Sequence, residues 1–250
     1  MGVNSLPWYY TEDLRGLHEM VILPGEEWHH CANVMRMSPG DALILFDGRG
    51  HSFEGIIRKS TKSEGSIELM ADRSADFLVP SACRINIAFA PTKSPDRTET
   101  AIEKIVELGV DTITFLDCKN GERSHIRMDR IKKIAIGAAK QSRKLFLPVV
   151  QDFITPVATF EQSKLQNPNS KILCCHLEPD ALPLHHTYRG ESDVVVLIGP
   201  EGGFTPEEIE ELKSLGVLMT TLGPHRLRVE TAVIAACANI HLLYALNQHS

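Results

Sequence analysis

The stretch Asp193-Val-Val-Val-Leu-Ile-Gly-Pro-Glu-Gly-Gly-Phe-Thr-Pro-Glu-Glu208 constrains the fold more than any other part of this chain. Val194 to Ile198 form an unbroken apolar run that stops at a turn signal, as a strand buried on both faces of a parallel sheet does. Gly199, Gly202 and Gly203 follow, where backbone amides are free to approach a ligand closely. Thr205 as N-cap, Pro206 at the first helical position and Glu208 three residues after the cap then open a helix through a capping box. Strand, glycine loop and helix in this order are the unit of an open α/β sheet, whose ligands bind at the carboxyl ends of the strands.

The alternation extends over most of the chain. Strands are expected at 85–90, 110–116, 171–176, 194–198 and 219–222, and helices at 98–108, 128–144, 206–215 and 231–246. This predicts a mostly parallel α/β sheet with helices. Before it, Asp41 to Phe46, the turn Asp47-Gly-Arg-Gly50, Ser52 to Ile57 and Ser66 to Met70 read as short β segments, with one helix near Gly25–Val34. The pattern is that of a small β-barrel. The change of pattern near Ala75–Pro80 divides the chain into residues 1–75 and 76–250.

Apolar residues make up 43% and charged residues 23%, ordinary values for a soluble globular protein. The start, Met1 to Trp8, lacks a basic stretch followed by an apolar core, and Ala232 to Leu246 is interrupted by Asn239 and His241. Neither a secretory signal nor a membrane span is therefore expected, and the expectation is a cytoplasmic protein without a membrane partner. The six cysteines form no C-x-x-C pair and read as reduced core residues. The eleven histidines show no H-E-x-x-H or other ligand spacing, so no metal site is expected. Formal net charge is −6, yet Lys119 to Leu147 carry nine Lys/Arg against two acids, a local net of +7. Such a run is either a solvated helix face or a polyanion-binding surface.

Three strand ends carry the candidate chemistry. The glycine loop at 199–203 has no Lys-Ser/Thr after it, and Glu201 sits where a phosphate would be repelled. It suits a neutral or cationic cofactor better than a nucleoside triphosphate; a tight turn without a ligand is the alternative. No G-x-G-x-x-G opens a helix, which disfavours a nicotinamide oxidoreductase. Thr221-Leu-Gly-Pro-His-Arg-Leu-Arg-Val-Glu-Thr-Ala232 brings Arg226, Arg228 and Glu230 to the start of the last helix, and Cys174-Cys-His-Leu-Glu178 ends a third strand.

Leu197 to Phe204 followed by Leu222 to Ala232 resembles the SPOUT superfamily of knotted methyltransferases. Within it, the chain is most similar to the family that methylates N3 of a uridine in 16S ribosomal RNA. Lys93-Ser-Pro-Asp-Arg-Thr-Glu99, Ile105-Val-Glu-Leu-Gly-Val110, Glu122-Arg-Ser124 and Ala138-Ala-Lys-Gln-Ser142 fit in order, and Arg36 to Asp41 with Leu45 to Gly48 resemble the family's PUA-like barrel. The chain departs from the pattern at two places. It has Lys140-Gln-Ser-Arg-Lys144 where Glu-Gln-Ser-Gly-Arg is common, and Arg228-Val-Glu-Thr231 where Arg-Thr-Glu-Thr is common.

The resemblance implies a trefoil-knotted SPOUT domain over 76–250, preceded by a PUA-like RNA-binding barrel over 1–75. It implies S-adenosyl-L-methionine as cofactor, bound by Leu177, Ile198, Gly199, Pro200, Glu201, Gly202, Gly203, Leu222, Gly223, Leu227, Thr231 and Ala232. Arg228 would stabilise the uracil anion, and Glu230 would orient it or accept its proton. Arg36, Lys93, Arg97, Arg123, Lys140, Gln141, Arg143 and Lys144 would contact RNA. The partners implied are 16S ribosomal RNA within the small ribosomal subunit and a second copy of the chain in a homodimer. The rival readings are a SPOUT enzyme acting on another RNA, such as transfer RNA, and a non-catalytic RNA-binding assembly factor.

Overall fold

The apolar run at 194–198 is the central strand of a seven-stranded sheet in a computed structural model of the chain, which describes residues 5–14, 16–79, 83–123, 125–177, 179, 181–191 and 193–248. The chain divides into two units, Met1–Pro80 with Ile136–Leu147, and Ser81–Ala135 with Pro148–Ser250.

The first unit holds β1 (Trp8–Tyr10), β2 (Met20–Pro24), α1 (Gly25–His29), β3 (Ala42–Phe46), β4 (Ser52–Ser60), β5 (Glu64–Asp72) and α2 (Ser74–Phe77). One turn of π-helix, His30–Val34, continues α1. The barrel expected from sequence is a curled sheet of order β1-β3-β4-β5-β2, with register shifts in β4 that bend it. Tyr9, Leu23, Trp28, Leu43, Leu45 and Ile67 are among the residues of its own core. Trp28 is buried and donates its indole N–H to the Thr61 carbonyl at 2.9 Å, so its polar edge is satisfied.

The second unit runs β6 (Arg84–Phe89), α3 (Pro95–Leu108), β7 (Thr112–Leu116), the start of α4 (Met128–Ser142), β8 (Val149–Ile154), α5 (Pro156–Gln166), β9 (Lys171–Cys175), β10 (Leu182–Pro183), α6 (Leu184–Thr187), β11 (Asp193–Ile198), α7 (Pro206–Ser214), β12 (Leu218–Thr221) and α8 (Val229–Asn247). The strand order is β10-β12-β9-β11-β6-β7-β8, and every pairing between these named strands is parallel. Val194 to Ile198 are all buried, and each such side chain stabilises the fold by about 1.5–3 kcal/mol relative to exposure. α3 begins with Pro95 and ends at Gly109, which takes φ 91 and returns its N–H to the Ile105 and Val106 carbonyls.

α8 corrects one expectation. By length and composition its 19 residues are long and apolar enough to cross a membrane, whereas the interrupted run in the sequence reads as too short. Its contacts are those of a core helix: it packs on α3, β6 and β11 and buries Val233, Ala236, Cys237 and Ile240.

The cysteines behave as small core residues. All six are free, and all but Cys175 are buried. Burial pushes the Cys118 thiol up to about 12, so it supplies no appreciable thiolate near neutral pH. Among the described residues no cluster of His, Cys, Asp and Glu is arranged to hold a metal ion.

Candidate functional site

Three neighbouring strands, β12, β9 and β11, end abreast. Cys175 is the register partner of both Ile198 and Thr220, so the loops that follow leave the sheet edge side by side. Between them lies a cleft of about 740 Å³ lined by the ends and loops of all three strands.

The glycine loop has its shape for two separate steric reasons. A Cβ on Gly199 would meet the Phe204 ring at 3.0 Å, so any side chain there would force the ring to shift. Gly203 takes φ 75, a left-handed conformation that side chains disfavour. Its N–H donates to the Pro200 carbonyl at 2.8 Å and closes the turn. The helix behind the loop is capped as the sequence predicts: Thr205 Oγ1 accepts from the Glu208 N–H, and Glu208 Oε2 accepts from the Thr205 N–H at 2.7 Å. The other Glu208 oxygen, Oε1, accepts from the Lys119 N–H at 3.0 Å. One buried carboxylate thus caps α7 and ties down the loop after β7.

Two more bonds hold the glycine loop from outside. Asn120 Nδ2 donates to the Gly203 carbonyl at 3.1 Å, and the Lys93 N–H donates to Glu201 Oε1 at 3.2 Å. The loop after β12 is closed by Thr221, whose Oγ1 accepts from the Gly223 N–H at 3.2 Å and donates to the Gly223 carbonyl at 2.7 Å.

Of the twelve residues expected to hold the cofactor, all but Thr231 line this cleft. Arg228 lines it too. It is exposed, stands at the N-cap of α8, and its side chain has no hydrogen-bond or ion-pair partner among the described residues. Glu230 does not line the cleft. It lies in the first turn of α8 with Oε1 3.7 Å from Arg97 Nε, while its buried Oε2 has no hydrogen-bond partner. A buried carboxylate oxygen without a donor is costly, so Oε2 is an open acceptor at this position.

Cys175, His176, Phe204, Thr221, His225, Arg226 and Val229 also line the cleft without having been singled out as ligands. Each is a near neighbour of a residue that was, at the same three strand ends. Asn120 was missed altogether; its only signal is an Asn-Gly turn after a buried strand. Glu178 and Ser124, quoted within the sequence motifs, lie outside the described residues.

The residues expected to meet RNA divide between the units. Arg36, Lys140, Gln141, Arg143 and Lys144 belong to the first, and Lys93, Arg97 and Arg123 to the second. Lys140 is committed elsewhere: its ammonium lies 2.9 Å from both Glu27 oxygens and 5.2 Å from the centre of the Tyr9 ring. Lys93 pairs with Glu122 at 3.0 Å on an exposed surface, where such a pair contributes little.

Residues 79–241 match the family of RNA methyltransferase domains, and residues 23–70 the family of RNA methyltransferase PUA domains. Ribosomal RNA small subunit methyltransferase E of Bacillus subtilis is 30% identical over 240 residues, covering 87% of this chain and 88% of the relative. Among solved structures, a probable rRNA-methyltransferase from Porphyromonas gingivalis superposes with a TM-score of 0.86 at 35% identity, covering 96% of this chain and 99% of that one. Ribosomal RNA small subunit methyltransferase E from Neisseria gonorrhoeae, bound to S-adenosyl methionine, superposes with a TM-score of 0.84 at 27% identity, covering 96% and 98%.

Proposed function

The chain belongs to the ribosomal RNA small subunit methyltransferase E family, and on that premise we propose that it methylates N3 of a uridine in 16S ribosomal RNA, using S-adenosyl-L-methionine. The cleft at the ends of β9, β11 and β12 carries the reading. Leu177, Ile198, Leu222 and Leu227 offer apolar surface to a nucleoside base, and the glycine loop offers backbone polar groups to its edges. Glu201 is the acid of the loop, with one oxygen bonded to Lys93 N–H, and it favours a positively charged ligand over a phosphorylated one. The residues present therefore fit this cofactor. When bound, it supplies an electrophilic methyl group on a sulfonium; the protein supplies alignment and a dry site.

Methylation at N3 requires loss of the imide proton and stabilisation of the resulting negative charge. Arg228 faces the cleft with an unengaged guanidinium, which suits an anion spread over a ring nitrogen and its flanking carbonyls. Glu230, held by Arg97 and with Oε2 unpartnered, accepts the proton or orients the uracil.

In this reading residues 1–75 are the RNA-gripping PUA-like domain and 76–250 the catalytic domain, knotted as in the SPOUT superfamily and working in the cytoplasm. The active form is a homodimer joined through α8, which leaves Leu242 and Leu246 56% and 58% exposed on an otherwise apolar helix. The test is transfer of labelled methyl groups to small ribosomal subunits, with transfer RNA in parallel, followed by mass mapping of modified nucleosides. N3-methyluridine in 16S ribosomal RNA is expected. Label confined to transfer RNA, or absent from both, overturns the reading.

A further inference from the structure

A second hollow, of about 300 Å³, opens between the first turn of α3 and the segment leading into α4. Thr98 and Glu99 form one wall, and Arg123, His125, Arg127 and Arg130 form the other. Glu99 is consumed by Arg130, whose Nε and Nη2 donate to its two oxygens. The Arg130 guanidinium, and then the charges of Arg127 and Arg123, hold the Glu99 carboxyl below the usual carboxylate range, so it stays ionised and paired. Asp96 and Asp129 also act on Arg130. The acids therefore gather around Arg130, while Arg123 and Arg127 have no hydrogen-bond or ion-pair partner among the described residues. Two unmatched guanidiniums on one small concavity make a site for an anion with several acceptor oxygens.

The helix that walls the hollow, α3, also carries a side chain to the proposed chemistry. Arg97, two residues before Glu99 on α3, reaches Glu230 in the first turn of α8. Arg97 and Glu99 are about half a turn apart, so α3 presents one to Glu230 and the other to the hollow.

We propose that this hollow binds a phosphodiester of the RNA substrate, with Arg123 and Arg127 as its ligands and Arg130 held in place by Glu99. The proposal rests on the reading of the chain as an RNA methyltransferase. It is tested with the full chain carrying Arg123→Gln and Arg127→Gln, against an unmodified 16S ribosomal RNA transcript. RNA affinity is titrated with salt, S-adenosylmethionine affinity is measured by calorimetry, and methyl transfer gives KM and kcat. The log–log salt slope falls by about 1.4, at about 0.7 per lost contact to single-stranded RNA. KM for RNA rises about tenfold or more, while kcat at saturating RNA and cofactor affinity stay near those of the unaltered chain. Arg127→Lys, which keeps the charge, retains most of the slope. An unchanged slope in the double variant, or equal loss in the Lys and Gln variants, overturns the proposal. If the unaltered chain binds the transcript but transfers no methyl group, the enzymatic reading fails while the slope comparison still decides the hollow. If it does not bind the transcript, both fail.

Discussion

Arg228 and Glu230 are two residues apart in sequence, yet the fold gives them different surroundings. Arg228 is the N-cap, extended at φ −69 and ψ 156, and its side chain lines the cleft. Glu230 is already in the helix, where two positions of sequence turn the side chain well over a right angle about the axis, and it points to Arg97. Arg228→Ala is expected to lower the saturated methyl-transfer rate by about 10²–10³, as loss of one donor to a developing anion does, and to change cofactor affinity only slightly. Single-turnover transfer of labelled methyl groups to small ribosomal subunits measures this. A near-normal saturated rate with sharply weakened cofactor binding would make Arg228 a binding residue. Glu230→Gln is expected to slow the same step. If Glu230 accepts the proton, the loss shrinks as pH rises, because the imide then ionises without help; a deficit independent of pH assigns Glu230 an orienting role. The proximity of this pair was legible from the motif, but their different surroundings come from the first turn of α8.

At the scale of elements, β11 and α7 were readable because every local signal agreed: an apolar run, glycines, an N-cap, proline and a capping-box acid. β8 and α5 carried no such agreement. β8 is an edge strand with no buried run, and α5 buries Pro156, Thr159 and Ser163, so no apolar period marks it as a helix. The same limit hid Asn120. Its role is to brace the Gly203 carbonyl from a loop 83 residues away in sequence. A neutral, exposed hydrogen bond of this kind is worth about 0.5–1.5 kcal/mol. Asn120→Ala is therefore expected to weaken S-adenosylmethionine about 2- to 10-fold, with RNA affinity unchanged, which calorimetry on the free protein checks. Unaltered cofactor affinity would mean that the Glu208 and Lys93 contacts suffice to fix the glycine loop.

For the whole molecule, sequence periodicity located the sheet and its crevice, but it carries no information about how segments far apart in the chain assemble into units. Ile136–Leu147 belongs with the N-terminal unit, so the basic run is divided: Lys119 to Lys133 falls in one unit, and Lys140, Arg143 and Lys144 in the other. Within the first unit, Lys140 is fixed on Glu27, which leaves Arg143 and Lys144 as the cations to weigh. Arg143 takes φ 55, a left-handed conformation costing an L-residue about 1–2 kcal/mol, at a position where the family pattern commonly has glycine. If the turn faces RNA, as the resemblance implies, the cation is what this backbone cost would serve. Comparing two variants isolates the strain. Arg143→Ala and Arg143→Gly both remove the side chain and whatever it contacts, but only glycine accepts the backbone angle freely. Glycine should be the more stable of the two by about 0.5–1 kcal/mol, after allowing for its greater freedom in the unfolded chain. Urea midpoints at equal m-value measure the difference. Both variants should lose about 0.7–0.9 from the salt slope of RNA binding while keeping full cofactor affinity. If alanine proves as stable as glycine, the turn stores no strain. If glycine is more stable but neither variant changes the slope, the chain carries its arginine there for a reason other than RNA.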